Sequence, residues 1–79
     1  MNESLFQIAN NLIDDMNYIK KVIDSCKTIT QLNNCRNLIK NYENKYKNKT
    51  TSVDIYVAYL NGYVLGTLNG RLYGENTTY

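Results

Sequence analysis

The sequence predicts an all-α protein: an antiparallel helical hairpin followed by a third, glycine-rich helix, assembling as a homo-oligomer. Three observations lead there. Leu5, Ala9, Leu12, Met16, Ile19, Ile23 and Cys26 follow one another at alternating steps of four and three, the spacing of a helical seam. Ser4 with Gln7, and Thr28 with Gln31, each form the capping-box pattern that opens a helix. Residues 59 to 74 repeat a tetrad, Tyr59-Leu60-Asn61-Gly62, Tyr63-Val64-Leu65-Gly66, Thr67-Leu68-Asn69-Gly70 and Arg71-Leu72-Tyr73-Gly74, with an aliphatic residue always second and glycine always fourth.

The first helix is placed at residues 4–26. Phe6, Ile8, Ile13 and Val22 widen its apolar stripe on both sides of the seam, and a stripe that broad contacts more than one neighbour. Its polar face carries Asp14 and Asp15. Successive helix residues diverge by about 100°, so these two carboxylates read as a solvated face, not a catalytic pair. Residues 25 to 31 turn the chain. The second helix is placed at residues 29–47, with the seam Leu32, Cys35, Ile39, Tyr42 and Tyr46. So short a connection sets the two helices antiparallel and brings Cys26 and Cys35 to the closed end of the hairpin. The tyrosines at 42 and 46 lie on the seam among Lys40, Lys45, Lys47 and Lys49, and core packing explains them better than a nucleic-acid patch does. Residues 48–52 form a linker, with Ser52 as the cap of the third segment.

Residues 53–73 admit two structures. As a helix, Gly62, Gly66 and Gly70 form a groove beside the ridge of Leu60, Val64 and Leu68, open to close approach by another backbone. Those six positions are the expected interface between copies. The alternative is α+β, in which Asn61-Gly62 and Asn69-Gly70 are hairpin turns between short strands. Asp54 and Gly66 fit strand interiors poorly, and the last strand would be only three residues long, which favours the helix. Three interior glycines cost a helix roughly 3 kcal/mol relative to alanine, so this one has to pack tightly on the rest of the chain or on a second copy. Relief of crowding inside one chain is the plainer account of the same glycines.

Seventy-nine residues make one domain, 1–79, with a core that is marginal by itself. Nine basic and seven acidic residues give a net charge of +2, too little to announce a nucleic-acid binder. With no histidine, the commonest general base and metal ligand is missing, so neither an enzyme nor a metal site is expected, and no cofactor is implied. The start MNESLFQIANNLIDDM has no basic region followed by a continuous apolar run, so no signal peptide is expected. No segment is apolar enough for a membrane partner. The expected location is the cytoplasm, where Cys26 and Cys35, lacking any CxxC or zinc spacing, stay reduced and buried.

The most suggestive local chemistry is at Lys27. The N-terminus of the second helix presents backbone N–H groups and the positive end of its dipole, and Lys27, Thr28 and Thr30 add a cation and two hydroxyls. Tyr18 and Lys20 lie one to two turns back on the first helix and offer an aromatic face and further charge. Such a set suits a nucleotide, although an ordinary capped helix with surface lysines accounts for the same residues.

The stretch Ile23-Asp24-Ser25-Cys26-Lys27-Thr28-Ile29-Thr30-Gln31-Leu32, continuing through Leu38-Ile39-Lys40-Asn41-Tyr42 to Tyr46, resembles small bacteriophage proteins. In these a helix ends in Ser-Cys, a Thr-x-x-Gln-Leu cap follows, and an aromatic lies about ten residues on. Among characterised groups it is similar to the anti-CBASS cyclic-oligonucleotide sponges, over residues 19 to 46. That resemblance implies a small helical homo-oligomer that sequesters cyclic di- or trinucleotide immune messengers in an infected bacterial cell without cleaving them. It also implies a site made of a tyrosine, a lysine and a threonine at the turn between helices. Lys27 and Thr28 stand there, with Tyr18 as the aromatic counterpart and Arg71 as a further anion-facing group. Two other functions fit the residues: an anti-CRISPR-like protein–protein inhibitor anchored by Tyr56, Tyr59, Tyr63 and Tyr73, and, last, a small DNA-binding regulator.

Overall fold

A computed structural model describes residues 4–76, with side chains described as far as residue 70. It contains three helices, α1 (Leu5–Ser25), α2 (Ile29–Tyr46) and α3 (Val53–Asn76), and no strand among the described residues. The hairpin alternative for residues 53–73 is therefore set aside.

Both capping boxes foreseen in the sequence act at helix starts, one of them fully. The Ser4 hydroxyl accepts the Gln7 N–H at 3.1 Å. At α2 the cap is reciprocal: Thr28 Oγ1 accepts the Gln31 N–H at 3.1 Å, and Gln31 Oε1 accepts the N–H groups of Lys27 at 2.7 Å and Thr28 at 3.3 Å. Ser52 does not cap α3 through its side chain as expected. Its N–H donates to Thr50 Oγ1, and its carbonyl accepts from Ile55.

The helix of residues 53–73 forms despite its glycines because of what its other face buries. Val53, Leu60, Val64 and Leu68 are all buried, with Tyr56, Val57 and Tyr63 packed beside them. At roughly 1.5–3 kcal/mol for each buried aliphatic side chain, that stripe contributes roughly 6–12 kcal/mol, against roughly 3 kcal/mol lost at the glycines. A meander would have turned half of these side chains to solvent. From α1 the stripe meets Leu12, Ile19 and Ile23. From α2 it meets Leu32, Cys35, Ile39, Tyr42 and Tyr46. All three helix pairs are in contact.

This packing revises the roles expected of the tetrad. Leu60, Val64 and Leu68 belong to the core of the single chain, the first two with no exposure at all. The glycines face the other way. A Cβ built on Gly62, Gly66 or Gly70 meets nothing within 4 Å, so relief of crowding within the chain does not explain them.

Contacts between α1 and α2 pair Cys26 with Cys35 beside the turn and Asp15 with Tyr46 at the far end. The Tyr42 hydroxyl, buried, donates to the Leu12 carbonyl at 2.7 Å. Asp15 does more than the solvated-face reading allowed. Its Oδ2 accepts from the Tyr46 hydroxyl at 2.6 Å and from Lys45 Nζ at 2.9 Å. Burial pushes the Asp15 carboxyl up, but the hydrogen bonds from Tyr46 and Lys45 and the Lys45 charge together leave it below its ordinary value. A carboxyl depressed by folding contributes stability that is present above its unfolded value and lost as pH falls through its folded one. The Asp15→Asn variant is therefore expected to show a flatter acid limb, as pH falls through and below the ordinary carboxylate range, when stability is followed by urea unfolding. An acid limb identical to that of the parent chain would refute this role.

Candidate functional site

The residues that the sequence grouped into one site fall in three places. Lys27, Thr28 and Thr30 form the first, an exposed turn at the N-terminus of α2. The capping box takes up the N–H of Gln31 through Thr28 and the N–H groups of Lys27 and Thr28 through Gln31. That leaves the Ile29 and Thr30 N–H groups as the donors the cap does not use. They sit at the positive end of the helix dipole, with the Lys27 side chain and the Thr30 hydroxyl exposed beside them.

Tyr18 is elsewhere. It is exposed and lines a groove of about 230 Å³ between α1 and α2, with Asp15, Ile19, Leu38, Asn41, Tyr42 and Lys45. Lys20 turns to the opposite flank of α1, toward α3. Its ammonium lies 5.6 Å from the ring centre of Tyr59 and 5.3 Å from that of Tyr63. The two rings are stacked, 6.2 Å apart and 19° from parallel. Tyr63 donates its hydroxyl to Asp24 Oδ1, which closes the set from α1. The Tyr59 hydroxyl, first by hydrogen bonding and then by charge, holds the Lys20 ammonium above its ordinary value, with Tyr63 and Asp24 adding to the effect. The hydrogen bond to Asp24 is the main reason the Tyr63 hydroxyl is pushed up. Arg71 and Tyr73 lie outside the described side chains.

One chain thus holds an anion-ready turn at one end of α2 and a separate aromatic–cation cluster on the α1–α3 flank. The second was invisible in the sequence as a unit, because Asp24 and Tyr63 are 39 residues apart and their meeting depends on how α3 is rotated. The alternating tetrad offered a hint, since Tyr59 and Tyr63 are four apart and so share a ridge. Exposed apolar side chains are numerous for so small a surface: Leu5, Phe6 and Ile13 on α1, and Ile55, Tyr59 and Leu65 on α3. Phe6 and Ile55 are more than two-thirds exposed, at 78% and 72%.

Among the described residues no group of three or more His, Cys, Asp and Glu side chains is placed to hold a metal ion, and no helix is long and apolar enough to cross a membrane. No protein-family model matches the chain, and neither the curated proteins nor the solved structures include one similar to it.

Proposed function

We propose that this chain is a non-enzymatic, homo-oligomeric binder of cyclic di- or trinucleotides, which it sequesters intact, and that it serves a phage as a counter-defence protein inside the infected cell. The Lys27 turn carries this reading. It combines an exposed ammonium, exposed hydroxyls and two helix-terminal N–H donors in a chain whose net charge of +2 gives no general attraction for anions. Affinity for a phosphodiester ring would have to come from such a local set. The loose likeness of residues 19 to 46 to the anti-CBASS sponges points the same way.

Tyr18 and Lys20 are on different flanks of α1 from each other, so a pocket that uses both draws them from different copies. The frame for this is an antiparallel hairpin of α1 and α2, supported by the pairing of Cys26 with Cys35 and of Asp15 with Tyr46. Assembly is supported by the exposed apolar side chains and by the open glycine ridge of α3. A second reading, a protein–protein inhibitor, is favoured by the stacked Tyr59 and Tyr63 with Lys20 above them, a rigid aromatic patch of the kind that anchors interfaces.

Titration of the intact chain with cyclic di- and trinucleotides, followed by heating and recovery of the ligand, separates the two. Uncleaved ligand in the supernatant is expected. Lys27→Glu is expected to weaken binding by at least about tenfold, the loss of one charge-assisted contact and the gain of a repulsion. Absence of binding to any of these nucleotides would end the sponge reading. Copurification of a host protein through Tyr59 would then establish the second.

A further inference from the structure

We propose that Cys26 and Cys35 form a paired-thiol modification site, closed by low-molecular-weight disulfides into an intramolecular disulfide that staples the turn between α1 and α2. The two Sγ atoms are 3.4 Å apart, in van der Waals contact, and both thiols are reduced. A bond requires them to approach to about 2.05 Å. The adjustment falls to Cys26, the C-cap of α1, whose backbone is already extended (φ −68°, ψ 133°) and outside the regular helix. Cys35 sits inside α2 and is held by that helix.

Burial does not seal the pair. Both cysteines line an open groove of about 390 Å³, together with Val22, Ser25, Gln31 and Asn34. The sulfur–sulfur end of a low-molecular-weight disulfide such as oxidised glutathione can approach the thiols from that side. The Cys26 Sγ–H points to the Val22 carbonyl at 3.2 Å. Burial, with the neighbouring Cys26 thiol second, pushes Cys35 up to about 11, so it remains a thiol at neutral pH and follows as the second nucleophile.

The chemistry balances in two exchanges. Cys26 loses its proton to solvent base, and its thiolate attacks one sulfur of R–S–S–R, forming the Cys26–S–S–R mixed disulfide and releasing one thiolate, which takes up a proton. Cys35, deprotonated in turn by solvent base, attacks Cys26 Sγ and displaces the second RS⁻, protonated as RSH. Two cysteine thiols are oxidised to one disulfide, and one R–S–S–R is reduced to two R–SH.

The test uses the full chain, reduced and then incubated with oxidised glutathione. The product is expected to be lighter by about 2 Da, the two hydrogens lost, with no added chain and no retained glutathione. Trypsin is expected to give residues 22–27 and 28–36 as one species that separates on reduction. The melting temperature is expected to rise by roughly 5–15 °C, the effect of closing a short loop in a chain of this size. A Cys35→Ser chain is expected to stop at the mixed disulfide on Cys26. Persistence of the reduced form, a stable glutathione adduct on the parent chain, or disulfide-linked dimers in place of the internal bond would overturn the proposal. None of these outcomes depends on whether the Lys27 turn binds a nucleotide.

Discussion

Replacing Gly62, Gly66 and Gly70 together with alanine is expected to stabilise the isolated chain by about 3 kcal/mol, near 1 kcal/mol per position. The gain arises in both states. Alanine has fewer unfolded conformations to lose, and in the helix its methyl group shields the backbone. Nothing opposes it in the single chain, because the added Cβ atoms meet no atom within 4 Å. For a domain of this size the melting temperature should rise by roughly 12–24 °C. The measurement pairs a thermal melt with native mass spectrometry of parent and variant. A fall in melting temperature, with loss of an assembled form, would show that another backbone lies in the ridge and that the glycines serve it. A rise with unchanged copy number would remove the ridge from any account of assembly, and would leave the exposed residues Phe6, Ile13 and Ile55 as the surface to examine.

Leu60→Ala is expected to act in the opposite direction, with a loss of about 2–5 kcal/mol. Leu60 has no exposed surface and lies midway along the buried stripe of α3, between Val53 and Leu68, in the core cluster to which α1 and α2 both contribute. A chain of 79 residues has a total stability of roughly 4–12 kcal/mol, so this single truncation removes a large share of it. The urea midpoint should drop accordingly, and far-ultraviolet helicity at room temperature should fall if the parent lies at the low end of that range. Retention of the parent midpoint, with fewer copies per particle, would mean that Leu60 meets a second chain after all.

The two sets of neighbours in the tetrad also show where sequence reasoning reached and where it stopped. The first two helices were legible because each signal was local: a seam of alternating steps, and caps whose two halves are three residues apart. The third was ambiguous because its signals conflict. Asn61-Gly62 and Asn69-Gly70 are hairpin dipeptides, and Val53, Ile55, Tyr56 and Val57 are good strand residues. Tertiary burial decided for the helix, and burial is not a local property. The sequence could place Leu60 beside Gly62 on adjoining ridges. It could not say which ridge turns inward, and so it assigned to assembly the side chains that fill the core. The candidate site residues are dispersed for the same reason. Tyr18, Lys20 and Lys27 are close in sequence, but α1 rotates by about 100° per residue, so two positions separate Tyr18 and Lys20 onto opposite flanks. The partners that Lys20 finds, Tyr59 and Tyr63, come from a helix whose rotation no spacing rule supplied.

The two flanks of α1 are secured by protons of very different acidity. Toward α2 the fastening is an ionised Asp15 that receives Tyr46 and Lys45, and strong acid releases it. Toward α3 it is a Tyr63 hydroxyl that must keep its hydrogen to hold Asp24. Folding raises that hydroxyl's pKa, so its contribution is whole below the unfolded value near 10 and disappears as alkali carries the solution past the folded one. Acid therefore weakens a contact on one flank of α1 and base a contact on the other.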